Sequence, residues 1–146
     1  MSDSSEETRS RYAHFLAIPT RWMDNDAYGH VNNVVYYSFF DTVVNAYLVD
    51  NAGLDIAASN TIGVVAETMC RFRASVSFPA IVHAGLRVAH VGKSSVRYEI
   101  GIFGGDDDAA AATGYFVHVY VDRATRRPVP VPDRVRAALE RLVVTA

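Results

Sequence analysis

Between Val34 and Leu48, polar residues recur at Ser38, Asp41, Thr42 and Asn45, while Tyr36, Phe39, Phe40, Val43, Val44 and Tyr47 fill the positions between them. β-branched and aromatic residues favour strands. The i, i+3, i+4, i+7 spacing of the polar positions, however, belongs to a helix with a wide apolar face. It predicts one long, largely enclosed helix, capped by Asn32 or Asn33 and stopped at Asn51 and Gly53. Downstream the period changes to two. A β-rich run covers residues 62–72, and Pro79 separates it from a second run over 81–91. Gly92-Lys93-Ser94-Ser95 reads as a hairpin connection. Val96, Tyr98, Ile100 and Ile102 then alternate with Arg97, Glu99 and Gly101, and Tyr115, Val117, Val119 and Val121 continue the alternation beyond a turn at 104–108. Upstream, residues 13–23 predict a first strand, with Pro19 pointing to an edge position or a bulge. Pro128, Pro130 and Pro132 end the sheet, and Asp133 is expected to cap a short helix with Val135, Leu139 and Leu142 on one face.

This order defines an α+β class: antiparallel strands joined by tight turns, curved around one apolar helix. The 146 residues suit one domain, expected over 12–146 behind a disordered polar tail at 1–11. The chain is 50% hydrophobic and 21% charged, enough apolar content to build a core. The net charge is −2 and Lys93 is the only lysine, which argues against general nucleic-acid binding. Cys70 is the only cysteine, so no intrachain disulfide forms and a cytoplasmic location is expected. Residues 1–11 lack the apolar core of a signal peptide, and no run approaches the roughly 20 apolar residues of a membrane span. A sheet with one bare face would be sticky as a monomer, so a homo-oligomer is expected.

The densest chemistry is Asp24-Asn25-Asp26-Ala27-Tyr28-Gly29-His30-Val31-Asn32-Asn33. This polar knot sits where the helix begins, and a helix N-terminus has unpaired N–H groups and a positive dipole. A carboxylate beside it can serve the cleavage of an ester-like bond. Asp24 is expected to pair with Arg21, and Gly29 to provide a turn with φ > 0. The spacing of Asp24, Asp26 and Gly29 superficially matches a calcium loop, but the position that needs a bidentate glutamate is Val35. His14, His30, His83, His90 and His118 lack zinc-type spacing, so no metal ligands are assigned.

The knot between a strand and an aromatic helix, with Gly114-Tyr115-Phe116-Val117-His118-Val119-Tyr120-Val121-Asp122 before an Arg/Pro turn, resembles the hot-dog-fold acyl-CoA thioesterases of the 4-hydroxybenzoyl-CoA thioesterase type. The likeness spans roughly residues 14–140. It implies a hot-dog fold of five or six antiparallel strands around the long helix, assembled as dimers or tetramers with active sites at the subunit interface. It also implies hydrolysis of acyl-CoA to a free carboxylic acid and CoA without metal or cofactor, CoA being part of the substrate. An acyl carrier protein thioester is the alternative carrier. The family's catalytic carboxylate matches Asp26, its oxyanion-binding amide matches Asn33, and its CoA-contacting loop matches Lys93-Ser94-Ser95.

Those residues suit the reaction. A thioester needs a nucleophile and a place for the developing oxyanion. One oxyanion donor is worth ~10²–10³ in rate and general-base assistance ~10²–10⁴. Asp26 acts either by activating water or by attacking the carbonyl itself, and no Gly-x-Ser-x-Gly nucleophile is required. His30 either orients substrate and shuttles a proton, or simply bonds the turn. Tyr28, Gly29 and Tyr36, with Lys93, Ser94 and Ser95, are the expected substrate contacts. Glu67 is either a second acid delivered from a neighbouring subunit, or a residue that faces solvent or pairs with an arginine such as Arg71. Arg71, Arg73, Arg126 and Arg127 are further candidates for CoA phosphates. Cys70 reads as buried filler and His118 as a satisfied core or interface residue. Two alternatives share the fold: a non-catalytic binder of acyl-CoA or another apolar thioester, and a hot-dog dehydratase, whose His-Phe-Pro-Gly motif is missing here.

Overall fold

Helix α1 runs from Asn33 to Ala52 and turns the predicted aromatic stripe inward. Tyr36, Phe39, Phe40, Val43, Val44, Tyr47 and Leu48 are all buried. The computed structural model describes residues 7–144. Its strands are β1 (His14–Pro19), β2 (Thr61–Phe72), β3 (Ile81–Val91), β4 (Ser95–Gly104) and β5 (Ala112–Asp122), followed by a short helix α2 (Asp133–Glu140). They form one five-stranded sheet in the order β1-β3-β4-β5-β2, every neighbour antiparallel. Pro19 lies at the end of an edge strand, where its missing N–H costs no ladder bond.

The helix packs on one face of this sheet. Val96, Tyr98, Ile100 and Ile102 of β4 share a single core with the buried stripe of α1, and all four are fully inaccessible. Burying one such side chain is worth roughly 1.5–3 kcal/mol. Gly114 of β5 lets the Phe40 ring approach, since a Cβ there would come within 2.8 Å of it. Helix α2 closes one end through Val135, Ala138 and Leu139, and Tyr47 Oη donates to the Ala138 carbonyl at 2.7 Å. Pro132 occupies the N-cap of α2, so Asp133 is its first helical residue rather than its cap. The proline's φ of −58° already suits the chain entering a helix.

The N-terminal segment is more ordered than its polarity suggests. Tyr12, Phe103 and Ala110 form a second small core, with Phe15 packed against it. Glu7 Oε1 pairs with Arg87 at 2.9 Å, and the Glu7 carbonyl accepts from the Ala110 N–H. The tail expected over residues 1–11 therefore does not extend to 7–11, which are fastened by this ion pair and by Tyr12. The remainder of that expectation lies outside the described residues. Among the described residues no helix is long and apolar enough to cross a membrane.

Candidate active site

The loop from Asn25 to Asn32 is a closed structure. Its two sides meet at a bridge between Asn25 and Val31, and the Asn32 N–H donates to the Asp24 carbonyl at 2.8 Å. At its tip the Gly29 N–H donates to the Asp26 carbonyl at 3.0 Å, and the Asp26 N–H to the His30 carbonyl at 2.9 Å. Gly29 has φ of +84°, a conformation side chains disfavour, so the glycine is required by the turn. The segment before β3 braces this loop. Val31 N–H donates to the Val76 carbonyl at 2.8 Å, Ser77 Oγ to the Gly29 carbonyl at 2.9 Å, and Phe78 N–H to Asn25 Oδ1 at 3.0 Å.

Two aspartates two residues apart have opposite environments. Asp24 is 2% exposed. Its Oδ2 accepts from the Arg21 N–H at 2.7 Å, and its Oδ1 accepts from Arg21 Nε at 3.0 Å and Nη2 at 2.8 Å. Burial pushes its carboxyl up, but the hydrogen bonds and charge of Arg21 outweigh burial and hold it below its ordinary value. Asp26 is half-buried, and only its Oδ1 is engaged, accepting from the Tyr28 N–H at 2.9 Å in an Asx turn. Oδ2 of Asp26 accepts no hydrogen bond among the described residues.

The helix start leaves one donor over. Asn32 has extended φ and ψ (−62°, 140°), and its Oδ1 accepts from the Val34 N–H at 3.1 Å. Val35 N–H donates to the Asn32 carbonyl at 2.9 Å. The N–H of Asn33, the first residue of α1, meets no acceptor among the described residues. The loop and the helix start thus each leave one polar group uncommitted among the described residues: a carboxylate oxygen of Asp26, and the Asn33 amide at the positive end of a 20-residue helix. Trp22, Met23, Tyr28 and Val34, all within the same stretch of chain, are exposed apolar side chains, a concentration typical of a surface that meets a partner or ligand. His30 is exposed and its ring makes no hydrogen bond to the turn, so only its carbonyl serves the loop.

Other expected contacts lie elsewhere. Tyr36 is 2% exposed, packed edge-on against Phe39 and Phe72. As a core residue it cannot line an open substrate site in this chain, and the accessible aromatic neighbour is Tyr37. Lys93, Ser94 and Ser95 do form the β3–β4 connection, closed by the Gly92 N–H on the Ser95 carbonyl at 2.7 Å. They are separated from the Asp26 loop by the 11 residues of β3, roughly 30 Å of extended chain, so they cannot touch a ligand at Asp26 of the same subunit. Glu67 faces away from the helix and bonds Tyr115 Oη, not Arg71, while Arg97 stacks over the Tyr115 ring at 3.9 Å. Arg71 and Arg73 line a polar depression on that outer face with Arg87 and Arg97. Burial pushes the Cys70 thiol up to about 11, consistent with a packing role.

His118 departs from expectation. It is buried in the core, yet its Nδ1 has no hydrogen-bond partner among the described residues. The imidazole faces Gly63, a residue with no assigned role in the sequence. The signal for it was a glycine inside a β-branched run, which often marks a close approach or an open slot.

A curved antiparallel sheet wrapped on a long helix, with a polar loop at the helix start, is the hot-dog thioesterase fold. The chain belongs to the thioesterase-like superfamily, whose family model matches residues 20–139. Among solved structures it is similar to the PA5185 protein of Pseudomonas aeruginosa (50% identity over 97% of this chain and 99% of that one, TM-score 0.95). It is also similar to the PA2801 protein of the same organism, provisionally assigned as a thioesterase (32% identity, 86% of this chain and 96% of that one, TM-score 0.81). A thioesterase of Thermus thermophilus solved with coenzyme A and zinc is 25% identical, covering 90% of this chain and 95% of that one, with a TM-score of 0.75. No curated protein matches the chain.

Proposed function

We propose that this protein hydrolyses acyl-CoA thioesters to a carboxylic acid and CoA, with Asp26 as the reacting acid and the Asn33 amide as the oxyanion donor. The observation that carries this reading is that one Asp26 oxygen and the N–H opening α1, on the loop and at the helix start it leads into, both meet no partner among the described residues. In the general-base form, Asp26 takes a proton from water as the hydroxide adds to the carbonyl carbon. The C–S bond then breaks, and the carboxylic acid of Asp26 returns the proton to the departing thiolate. In the nucleophilic form, Asp26 itself adds to the carbonyl, the C–S bond breaks as the CoA thiolate leaves and takes a proton from water or His30, and a water molecule then hydrolyses the mixed anhydride to the carboxylic acid and free Asp26. In both, the negative charge on the carbonyl oxygen develops toward the Asn33 N–H, where the helix dipole favours it. His30, exposed on the same loop, is positioned to orient substrate or protonate the leaving thiolate. Superfamily membership and the CoA-bound thioesterase relative support the choice of a CoA thioester.

A second copy completes this reading. Strand β2 is 12 residues long, lies at a sheet edge and exposes Val65 and Phe72. Such an edge is a template for pairing. Antiparallel pairing of β2 with its copy would bring the Thr61 end of one strand beside the Phe72 end of the other. The Lys93 hairpin lies at the Thr61 end of the sheet, so it would serve the partner's Asp26 rather than its own.

The test is thiol release across a panel of acyl-CoAs with Asp26→Asn and Asp26→Ala. Turnover should fall at least ~10²-fold while circular dichroism and melting stay unchanged. Turnover at the wild-type rate would overturn the role of Asp26, and binding of acyl-CoA without any thiol release by the wild type would make the protein a binder instead.

A further inference from the structure

Near the far half of α1, a cavity of about 70 Å³ opens between the helix and the β2 side of the sheet, walled by Asn45, Leu48, Ile56, Gly63, His118 and Tyr120 among others. Its wall is mainly apolar, and two of its polar side chains, Asn45 and Ser59, are engaged. Asn45 Nδ2 donates to the Asp41 carbonyl at 2.8 Å, and Ser59 Oγ to the Thr61 carbonyl at 2.7 Å. His118 is 4% exposed and its Nδ1 is buried with no partner among the described residues. A buried nitrogen left in that state costs stability. Rings of Tyr98, Phe116 and Tyr120 pack around the imidazole edge-on, holding it in place without satisfying it.

Gly63 packs closely on the imidazole. A Cβ there would lie 3.0 Å from His118 Nδ1 and 3.1 Å from Cγ, tighter than ordinary contact, so any larger residue would push the ring aside. Burial lowers the imidazole to about 4, leaving it neutral near pH 7. In a neutral ring Nδ1 is a donor in one tautomer and an acceptor in the other. A hydroxyl satisfies either.

We infer that this crevice binds an apolar group carrying one hydroxyl, with the hydroxyl on His118 Nδ1 and the hydrocarbon against Leu48, Ile56 and Tyr120. The acyl portion of the substrate is one source of that group. That assignment rests on the thioesterase reading and on β2 pairing, which would bring the Gly63 end of one subunit to the Asp26 end of its partner. A free alcohol or phenol is the other source.

Phenol and toluene are near-isosteric probes that differ in the hydroxyl. Titrated into the intact protein with the His118 ring resonances observed, phenol should shift Nδ1 and bind about tenfold more tightly than toluene, the worth of one hydrogen bond. Gly63→Ala should abolish binding of both, and His118→Phe should bring phenol to the level of toluene. Equal affinity for the two probes, or phenol binding that survives Gly63→Ala, overturns the site. So does an unmoved His118 resonance, which would mean that water alone meets Nδ1. These titrations need no turnover, so they stand even if Asp26 proves not to be catalytic. Hydrolysis of 6-hydroxyhexanoyl-CoA and hexanoyl-CoA then separates the sources. If the acyl group enters the crevice, Gly63→Ala raises KM for the hydroxylated substrate and phenol competes with it. If the ligand is free, phenol binds without competing.

Discussion

The two ends of helix α1 are finished in different ways. At the C-terminal end a left-handed turn stops the helix. Gly53 takes the left-handed conformation (φ +62°), the Leu54 N–H donates to the Leu48 carbonyl at 3.3 Å, and Asn51 Nδ2 covers the Tyr47 carbonyl at 3.0 Å. At the N-terminal end the cap stops short. Asn32 accepts two N–H groups, that of Val34 on its side chain and that of Val35 on its carbonyl, while among the described residues the Asn33 amide and one oxygen of Asp26 remain uncommitted. The proposed chemistry uses the donor left over at the N-terminal end, whereas the turn at Gly53 serves the proposal only by ending the helix.

Removing the Asn33 N–H without disturbing the helix tests this most strongly. Asn33 is the first helical residue, the one position where proline is welcome. Asn32 already has the extended φ and ψ (−62°, 140°) that a residue before proline needs. Asn33→Pro should therefore leave helicity and melting intact and lower kcat by ~10²–10³, the loss of one oxyanion donor. Unchanged kcat for acyl-CoA hydrolysis in a folded Asn33→Pro protein would remove that amide from the mechanism.

How far the contrast was readable from the sequence depends on which forces set it. The helix was legible because Ser38, Asp41, Thr42 and Asn45 kept the helical period in spite of a strand-like composition. Strand ends were legible because Pro79, Gly92 and Gly104 punctuate them locally. The motif around Asp26 and the pairing of Asp24 with Arg21 were legible because both depend on residues close in sequence. Properties fixed by distant strands were not. Tyr36 sits on the predicted buried stripe, yet its enclosure against Phe72 is a tertiary fact. The distance of the Lys93 hairpin from Asp26 follows from the direction of β3. The packing of His118 depends on Gly63, which lies far from it in the chain.

That buried imidazole carries a pH signature. His118 titrates at about 4 in the folded protein against 6.5 ordinarily, because burial disfavours its charged form. Between these values the unfolded chain binds the proton more readily, so folding stability falls as pH drops from 6.5 toward 4. The full span is worth about 3 kcal/mol. His118→Phe should flatten this part of the stability profile, read from denaturant unfolding at pH 7 and near pH 4.5. An identical acid limb in the variant would place the proton uptake on other groups. Asp24 acts in the same pH direction over a more acidic window, since its pKa too is held below its ordinary value. The stability it contributes is present above the unfolded carboxylate pKa and lost as pH falls through the folded one. At pH 7 Asp24→Ala should cost about 2 kcal/mol, because it removes both the bond capping the Arg21 N–H and the guanidinium partner.

The smallest effect belongs to the C-terminal end of α1. Gly53→Ala forces a side chain into φ of +62°, which costs about 1 kcal/mol. The neighbouring group is the flexible end of Arg134, which can swing aside, so backbone strain dominates the loss. For a domain of this size the melting temperature should drop by about 4 °C, with kcat unchanged. A scanning melt and a thiol-release assay on the same preparation decide it. If kcat fell in Gly53→Ala as far as in Asn33→Pro, the two ends would be coupled through the whole helix. The uncommitted amide would then lose its special status, because any loosening of α1 would have the same effect on turnover.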